Sequence, residues 1–161
     1  MPLSDDLFKQ AMSRFPSGVT VITIYDEANT AVGMTASAFI SVSLSPPLIL
    51  ESIAKSAQMH HRLMQQDRYA VSILSAAQAP VSNHFAGWGV EGFEPDLDEV
   101  DGLPTISGSL VQCTCRIVHR VDAGDHTLFI GQVESLRVSD PDGSPLIYSD
   151  RGYHGLAGIE E

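Results

Sequence analysis

The sequence predicts a mainly β protein, an antiparallel β-barrel with accessory helices. Short apolar runs rich in β-branched residues outnumber the segments of helical period, and Gly, Pro, Asn and Asp recur between them as turn formers. A third observation bounds the size. A chain of 161 residues with 43% hydrophobic and 18% charged residues can bury a core without disulfides or metal, and is too apolar to stay disordered. One domain over residues 1–161 is the simplest division, with no internal repeat and no low-complexity stretch.

The elements follow in order. Ser4 caps a helix whose first turn carries Asp5 and Asp6, whose apolar positions are Leu7, Phe8, Ala11, Met12 and Phe15, and which Pro16 ends. Residues 19–25 are rich in β-branched side chains, 26–30 have turn composition and 31–39 return as a second strand, which makes a hairpin. Beyond its small hydroxylated residues the double proline Pro46-Pro47 sets a turn, and 48–53 form a continuous apolar strand. A helix is expected over 56–66, a short strand over 69–74, and a short helix over 78–85 with Pro80 in its first turn. Residues 87–108 read as a polar loop carrying Glu91, Glu94, Asp96, Asp98, Glu99 and Asp101, of a length that usually covers a site or an interface. Two long strands, 110–121 and 127–138, flank the turn 122–126, and 145–148 give a last short strand.

The net charge of -11 repels polyphosphate, so nucleic acid is not an expected partner. A single phosphorylated cofactor remains compatible, because local backbone amides and one cation outweigh the global field. The N-terminus lacks a basic region followed by an apolar run, and no stretch reaches the roughly 18 apolar residues of a membrane span. A cytoplasmic protein with no membrane partner is expected.

Several motif spellings fail on context. Gly87-Trp88-Gly89-Val90-Glu91-Gly92 has the letters of a dinucleotide fingerprint, but Phe93-Glu94-Pro95 cannot open the helix that the fingerprint needs. Ser52-Ile53-Ala54-Lys55 spells S-x-x-K at a strand end instead of a helix start. Asp96, Asp98 and Asp101 are one residue off a calcium loop, and His60-His61 point apart on a helix, so no metal is expected. Cys113 and Cys115 share one face of a strand and read as packing residues.

Two places look more like chemistry. Ala54-Lys55-Ser56-Ala57 sets a cation and a hydroxyl after a strand, at an expected helix start, where a phosphate or a plain capped helix are the two readings. His126 follows Gly124-Asp125 at the mouth of the long hairpin, as a turn residue or as a ligand or catalytic group.

The order of these segments resembles a known family. Phe15-Pro16-Ser17-Gly18-Val19-Thr20-Val21, then Gly33-Met34-Thr35-Ala36-Ser37-Ala38 with Ser45-Pro46-Pro47, then Gly124-Asp125-His126 and Tyr148-Ser149-Asp150-Arg151-Gly152-Tyr153-His154 resemble the short-chain flavin reductases. These are the small components of two-component flavin-dependent monooxygenases. The resemblance implies an FMN-binding split barrel of antiparallel Greek-key type, a homodimer with flavin at its interface, and hydride transfer from NADH or NADPH to FMN or FAD. Reduced flavin would then pass to a partner monooxygenase.

Carried over by position, the resemblance places the isoalloxazine along Thr35, Ala36, Ser37 and Ala38. Ala38 departs from relatives that carry a hydroxylated or amide residue there. The ribityl chain and phosphate fall on Ser52, Ile53, Ala54, Lys55 and Ser56, while Phe85, Ala86 and Gly87 lie beside the flavin. Arg151 and Tyr153 join the cofactor pocket, and His126 is the catalytic candidate near flavin and nicotinamide. Two other readings stay open: a flavin-binding electron carrier or redox sensor without nicotinamide turnover, and a flavoprotein that reduces another acceptor, such as a corrinoid or a ferric complex.

Overall fold

The computed structural model describes residues 2–139 and 142–159. The expected domain over 1–161 therefore includes Met1, Asp140, Pro141, Glu160 and Glu161, which lie outside the described residues. Helix α1 (Asp5–Met12) begins at Ser4, whose hydroxyl oxygen accepts from the Leu7 N–H at 3.2 Å. A two-residue strand β1 (Ser17–Gly18) leads into β2 (Thr20–Tyr25), β3 (Ala31–Ala36), β4 (Phe39–Leu44) and β5 (Pro47–Ala54). Helix α2 (Gln58–Leu63), strand β6 (Arg68–Ile73), a single 3-10 turn (Ala76–Gln78) and helix α3 (Ala79–Phe85) follow. The rest is β7 (Leu97–Val100), β8 (Leu103–Ile106), β9 (Val111–Ala123), β10 (His126–Val138), β11 (Ile147–Ser149) and β12 (Gly152–His154).

Seven strands pair antiparallel in the order β3-β2-β6-β9-β10-β5-β4. The two edge strands are neighbours in the chain, joined only by Ser37 and Ala38. Laid flat, six inter-strand spacings would hold those edges about 29 Å apart, whereas the steps from Ala36 to Phe39 reach at most about 11 Å. The sheet must curl until its edges meet end to end. A contact across the curl agrees: Thr20 Oγ1 of β2 lies 3.2 Å from Glu51 Oε1 of β5, although three strands separate β2 from β5 in the sheet.

The curl encloses the main core. Strand β5 alternates, with Ile49, Glu51 and Ile53 turned inward and Leu50, Ser52 and Ala54 half-buried on the other face. Inside they meet Ile22, Ile24, Tyr69, Val71, Cys113, Cys115 and Phe129, closed at one end by Met59 and Leu63 of α2. Both cysteines are free and buried here, as packing residues would be. A second cluster outside the sheet joins Val19, Val21 and Leu74 to Val81 of α3, Ile106 of β8 and Leu146.

Four expectations need correction. The strand expected over 31–39 stops at Ala36, because the chain leaves one sheet edge and enters the other at Phe39. The helix expected over 56–66 contracts to Gln58–Leu63, and Ser56 does not cap it: Ala57 holds the N-cap position without a side-chain bond. The acidic loop 87–108 contains the β7–β8 hairpin, turned through Asp101 and Gly102 at φ 48° and 77°. Its acids are fastened, not merely solvated. Tyr25 OH donates to Glu99 at 2.9 Å, Gln112 Nε2 donates to Asp98 at 3.0 Å, and Arg68 bonds the Asp101 carboxylate. The Tyr25 phenol is raised above its ordinary pKa chiefly by that bond to Glu99. The strand expected over 145–148 runs over Ile147–Ser149, because only there does it pair with both Ser17–Gly18 and β12, a further strand that follows it.

Candidate functional site

Where β3 ends, the Ser37–Ala38 link belongs to neither ladder: the β2–β3 register closes at Ala36 and the β4–β5 register opens at Phe39. Ala38 is tied by its carbonyl, which accepts from Ser52 N–H at 3.0 Å. A cavity of about 420 Å³ opens beside this link, walled by Thr35 and Ser37, by Ser82 and Asn83 of α3 and its C-cap Ala86, by Trp88, and by Tyr148, Arg151 and Tyr153 from the C-terminal hairpin. That volume lies within the roughly 300–1,000 Å³ of small-molecule clefts.

The wall is held by a chain of hydrogen bonds. Thr35 Oγ1 donates to the Ser82 carbonyl at 2.6 Å, and Tyr153 OH donates to Asn83 Oδ1 at 2.9 Å. The single phenolic proton is thereby used, so Ser82 Oγ donates to Tyr153 across 2.7 Å. These bonds fix α3 and β12 against β3, so that the cavity exists before any ligand arrives. Among the described residues Arg151 is the one cation in the wall, in a chain of net charge -11. Its backbone is left-handed at φ 63°, as is Asp150 at 49°, and Asp150 N–H is held by the Ser13 carbonyl at 2.8 Å. Left-handed non-glycine residues concentrate at functional sites because the surrounding structure must hold them there.

A second cleft, about 500 Å³, backs onto the first through Ala86 and is lined by Gly33, Arg62, His84, Phe85 and Gly87. Gly33 is required for it: a Cβ there would stand 2.8 Å from two ring carbons of Phe85. The bare backbone of β3 lets Phe85 lie against the strand.

The expected site residues thus divide. Thr35, Ser37, Ala86, Arg151 and Tyr153 share the cavity wall, and Phe85 and Gly87 face the adjoining cleft. Ala36 and Ile53 are buried in the core, so only their backbones could face a ligand. Ser52 and Ala54 lie on the opposite face of β5 from Ile53, in line with Ala38. Lys55 and His126 are in neither cleft wall. They meet at the far end of β5, where Ala54 pairs with His126 and Lys55 N–H donates to the Asp125 carbonyl at 2.9 Å. His126 Nδ1 lies 2.7 Å from Asp125 Oδ1, a bond that with the imidazole charge lowers the Asp125 carboxyl below its ordinary pKa. Lys55 Nζ lies 3.3 Å from Asp122.

Reasoning from sequence missed Ser82, Asn83 and Trp88. The signal for the first two was present: they stand four and three residues before Ala86, one helical turn back on the same face.

The chain matches the family described as Flavin reductase like domain over residues 12–157. It belongs to that family. It is similar to an NADH-dependent flavin reductase of a Rhodococcus species, 41% identical over 153 residues, covering 92% of this chain and 84% of that one. It is also similar to the reductase component of 4-hydroxyphenylacetate 3-monooxygenase from Thermus thermophilus, 37% identical, covering 94% of this chain and 96% of the other. Among solved structures, the flavin reductase PheA2 in its native state superposes with a TM-score of 0.91 at 43% identity, covering 97% of this chain and 100% of that one. A flavin reductase like domain thus accounts for nearly the whole chain.

Proposed function

We propose that this chain is an NADH-dependent flavin reductase that binds FMN or FAD with its ring against residues 35–38 and passes reduced flavin to a separate flavin-dependent monooxygenase. The observation that carries the site is the Ser37–Ala38 link, which belongs to neither ladder and opens beside a cavity of about 420 Å³ whose wall holds Arg151. A planar ring can lie against such a link because its side chains are small. The ribityl chain would run along Ser52 and Ala54 toward Lys55 and Ser56, about 10 Å beyond Ser52 at strand spacing.

Bound flavin supplies the ring that accepts a hydride from a nicotinamide. The protein's residues orient and exclude water: Thr35, Ser82, Asn83 and Tyr153 hold the wall, Trp88 and Phe85 flank it, and Arg151 gives an anionic cofactor its cation. No acid–base pair is needed. The relatives named for NADH favour that donor over NADPH.

The end-to-end meeting of β3 and β4 supports an FMN-binding split barrel of antiparallel Greek-key type. A homodimer is supported by α1, which buries none of its residues and leaves Leu7, Phe8 and Met12 more than half exposed, with Phe15 just beyond it at 81%. Edge strand β4 adds exposed Ile40, Val42 and Leu44. Among the described residues no helix is long and apolar enough to cross a membrane, which accords with a cytoplasmic enzyme.

NADH oxidation with and without added free flavin tests the function. Strong dependence on added flavin is expected. A tightly held flavin with no NADH oxidation would favour an electron carrier instead. Sedimentation of a flavin-saturated monomer at micromolar concentration would remove the dimer.

Two substitutions probe the far end of the strip. Lys55→Ala should weaken flavin binding by only about fivefold, because its ammonium is half-exposed and already shared with Asp122; titration calorimetry reads the change. His126→Ala should raise KM for NADH or slow flavin reduction by about tenfold, with flavin affinity nearly unchanged, as for a positioning group displaced by an ångström. Stopped-flow reduction separates the two effects.

A further inference from the structure

Glu51 is a glutamate with no exposed surface, on the inward face of β5. Its register partners are Phe39 and Phe129. Thr20 of β2, Tyr69 of β6, and Cys113 and Cys115 of β9 are the polar or titratable groups near it. No buried Lys or Arg occurs among the described residues.

The hydrogen-bond geometry around the carboxyl suits its neutral form. Thr20 has one hydroxyl proton, and its Oγ1 stands 2.7 Å from the Ala36 carbonyl, which can only accept. That single proton faces two acceptors, the Ala36 carbonyl at 2.7 Å and Glu51 Oε1 at 3.2 Å, and both contacts are hydrogen bonds at once when Glu51 carries a proton on that oxygen. A neutral acid also fits the other oxygen, Oε2, which is buried without a partner: an uncharged carbonyl there is far less costly than an orphaned carboxylate. Burial pushes the carboxyl well above the usual carboxylate range in the same direction.

The chain of bonds runs from Glu51 through Thr20 to the Ala36 carbonyl, at the residue before the Ser37–Ala38 link. In a trans peptide the N–H points opposite to the C=O. Holding Ala36 C=O toward Thr20 of the neighbouring strand β2 thus turns the Ser37 N–H away from β2, at a residue that lines the cavity. We propose that Glu51 is a positioning residue for flavin: as a neutral acid it fixes, through Thr20, the Ala36–Ser37 peptide so that the Ser37 N–H is presented to the ring. The proposal rests on the reading of residues 35–38 as the flavin contact.

The test compares wild type with Glu51→Gln, Glu51→Leu and Thr20→Val, reading FMN and FAD dissociation constants from quenching of Trp88, the only tryptophan of the chain. Glutamine keeps a donor for Thr20, so its dissociation constant should stay within about twofold of wild type. Glu51→Leu and Thr20→Val each cut the relay and should weaken binding about 5- to 10-fold, the worth of one net hydrogen bond. Infrared spectra of wild type should show the carbonyl stretch of a protonated acid that Glu51→Gln lacks. The wild-type fold should lose stability as pH rises from about 4.3, the ordinary carboxyl value, toward the raised value in the fold, by about tenfold in the folding constant per pH unit; Glu51→Gln should be flat there.

A merely structural glutamate would give the same stability slope and leave flavin affinity unmoved. Unchanged affinity in folded Glu51→Leu and Thr20→Val overturns the proposal, as does an equal loss in Glu51→Gln or the absence of the acid carbonyl band. Should Glu51→Leu not fold, Thr20→Val, which keeps the shape, decides. Ser37→Trp separates the two failures. If it leaves flavin binding intact, the flavin lies elsewhere and both the site and the proposal fall; if it abolishes binding while the relay variants bind as wild type, the site stands and the positioning role alone falls.

Discussion

Ser37→Trp is expected to raise the flavin dissociation constant by at least about 100-fold while leaving the fold intact. The side chain of Ser37 is exposed and lines the 420 Å³ cavity in a link that belongs to neither ladder. An indole there occupies the volume that a flavin ring would need, and loss of one stacked ring face together with its backbone bonds removes about 3 kcal/mol or more. Exposed substitutions away from caps and cores shift stability by only about 0.5 kcal/mol, so thermal unfolding should match wild type. Equilibrium dialysis with FMN and FAD measures the loss. Retained affinity would move the flavin off this link.

Gly131→Ala is expected to destabilise the fold by about 3 kcal/mol, at the upper end of overpacking in a filled core. Gly131 sits in β10 at a register shift against β9, and a Cβ there would stand 2.5 Å from Tyr69 OH and 2.9 Å from Cys115 Cβ. Neither neighbour can yield. Tyr69 has no exposed surface and its hydroxyl lies in the core without a hydrogen-bond partner, while Cys115 Cβ is rooted in β9. The compensating variant follows from the same geometry: Gly131→Ala combined with Tyr69→Phe removes the closest atom and should recover part of the loss. Urea unfolding of both variants checks it, and a single mutant as stable as wild type would mean that the core is looser than the packing implies.

Much of the local structure was legible because it is set by neighbours in the chain. Ser4 before two acids and a helical apolar period marks α1, and Gly124-Asp125 between long β-branched runs marks the β9–β10 hairpin. Pro80 in a first turn marks α3. The β7–β8 hairpin was hidden because Leu97, Asp98, Glu99 and Val100 do not alternate like a half-buried strand. Its acids are carried by Tyr25, Arg68 and Gln112, all distant in sequence. Ser56 looked like a cap because hydroxyl residues often are, yet the chain enters α2 one residue later.

The candidate site was legible in part for the same reason. Thr35, Ser37, Ala86, Arg151 and Tyr153 were named from family resemblance and do line one cavity. Lys55 and His126 came with them, but they meet where the end of β5 pairs with the start of β10, in neither cleft wall.

Most of the elements outside 87–108, the family and thus the flavin chemistry were present in the linear pattern, since each depends on short-range periodicity, turn residues and motif order. What that pattern leaves open is the meeting of surfaces. The short link between β3 and β4 obliges the sheet to curl, and the curl places Thr20 against Glu51 and buries a carboxyl that a linear reading would leave in water. The same closure sets α3 and β12 against β3 to make the cavity. Burial and convergence are properties of contacts between residues far apart in sequence, and their energies appear only once the chain has brought them together.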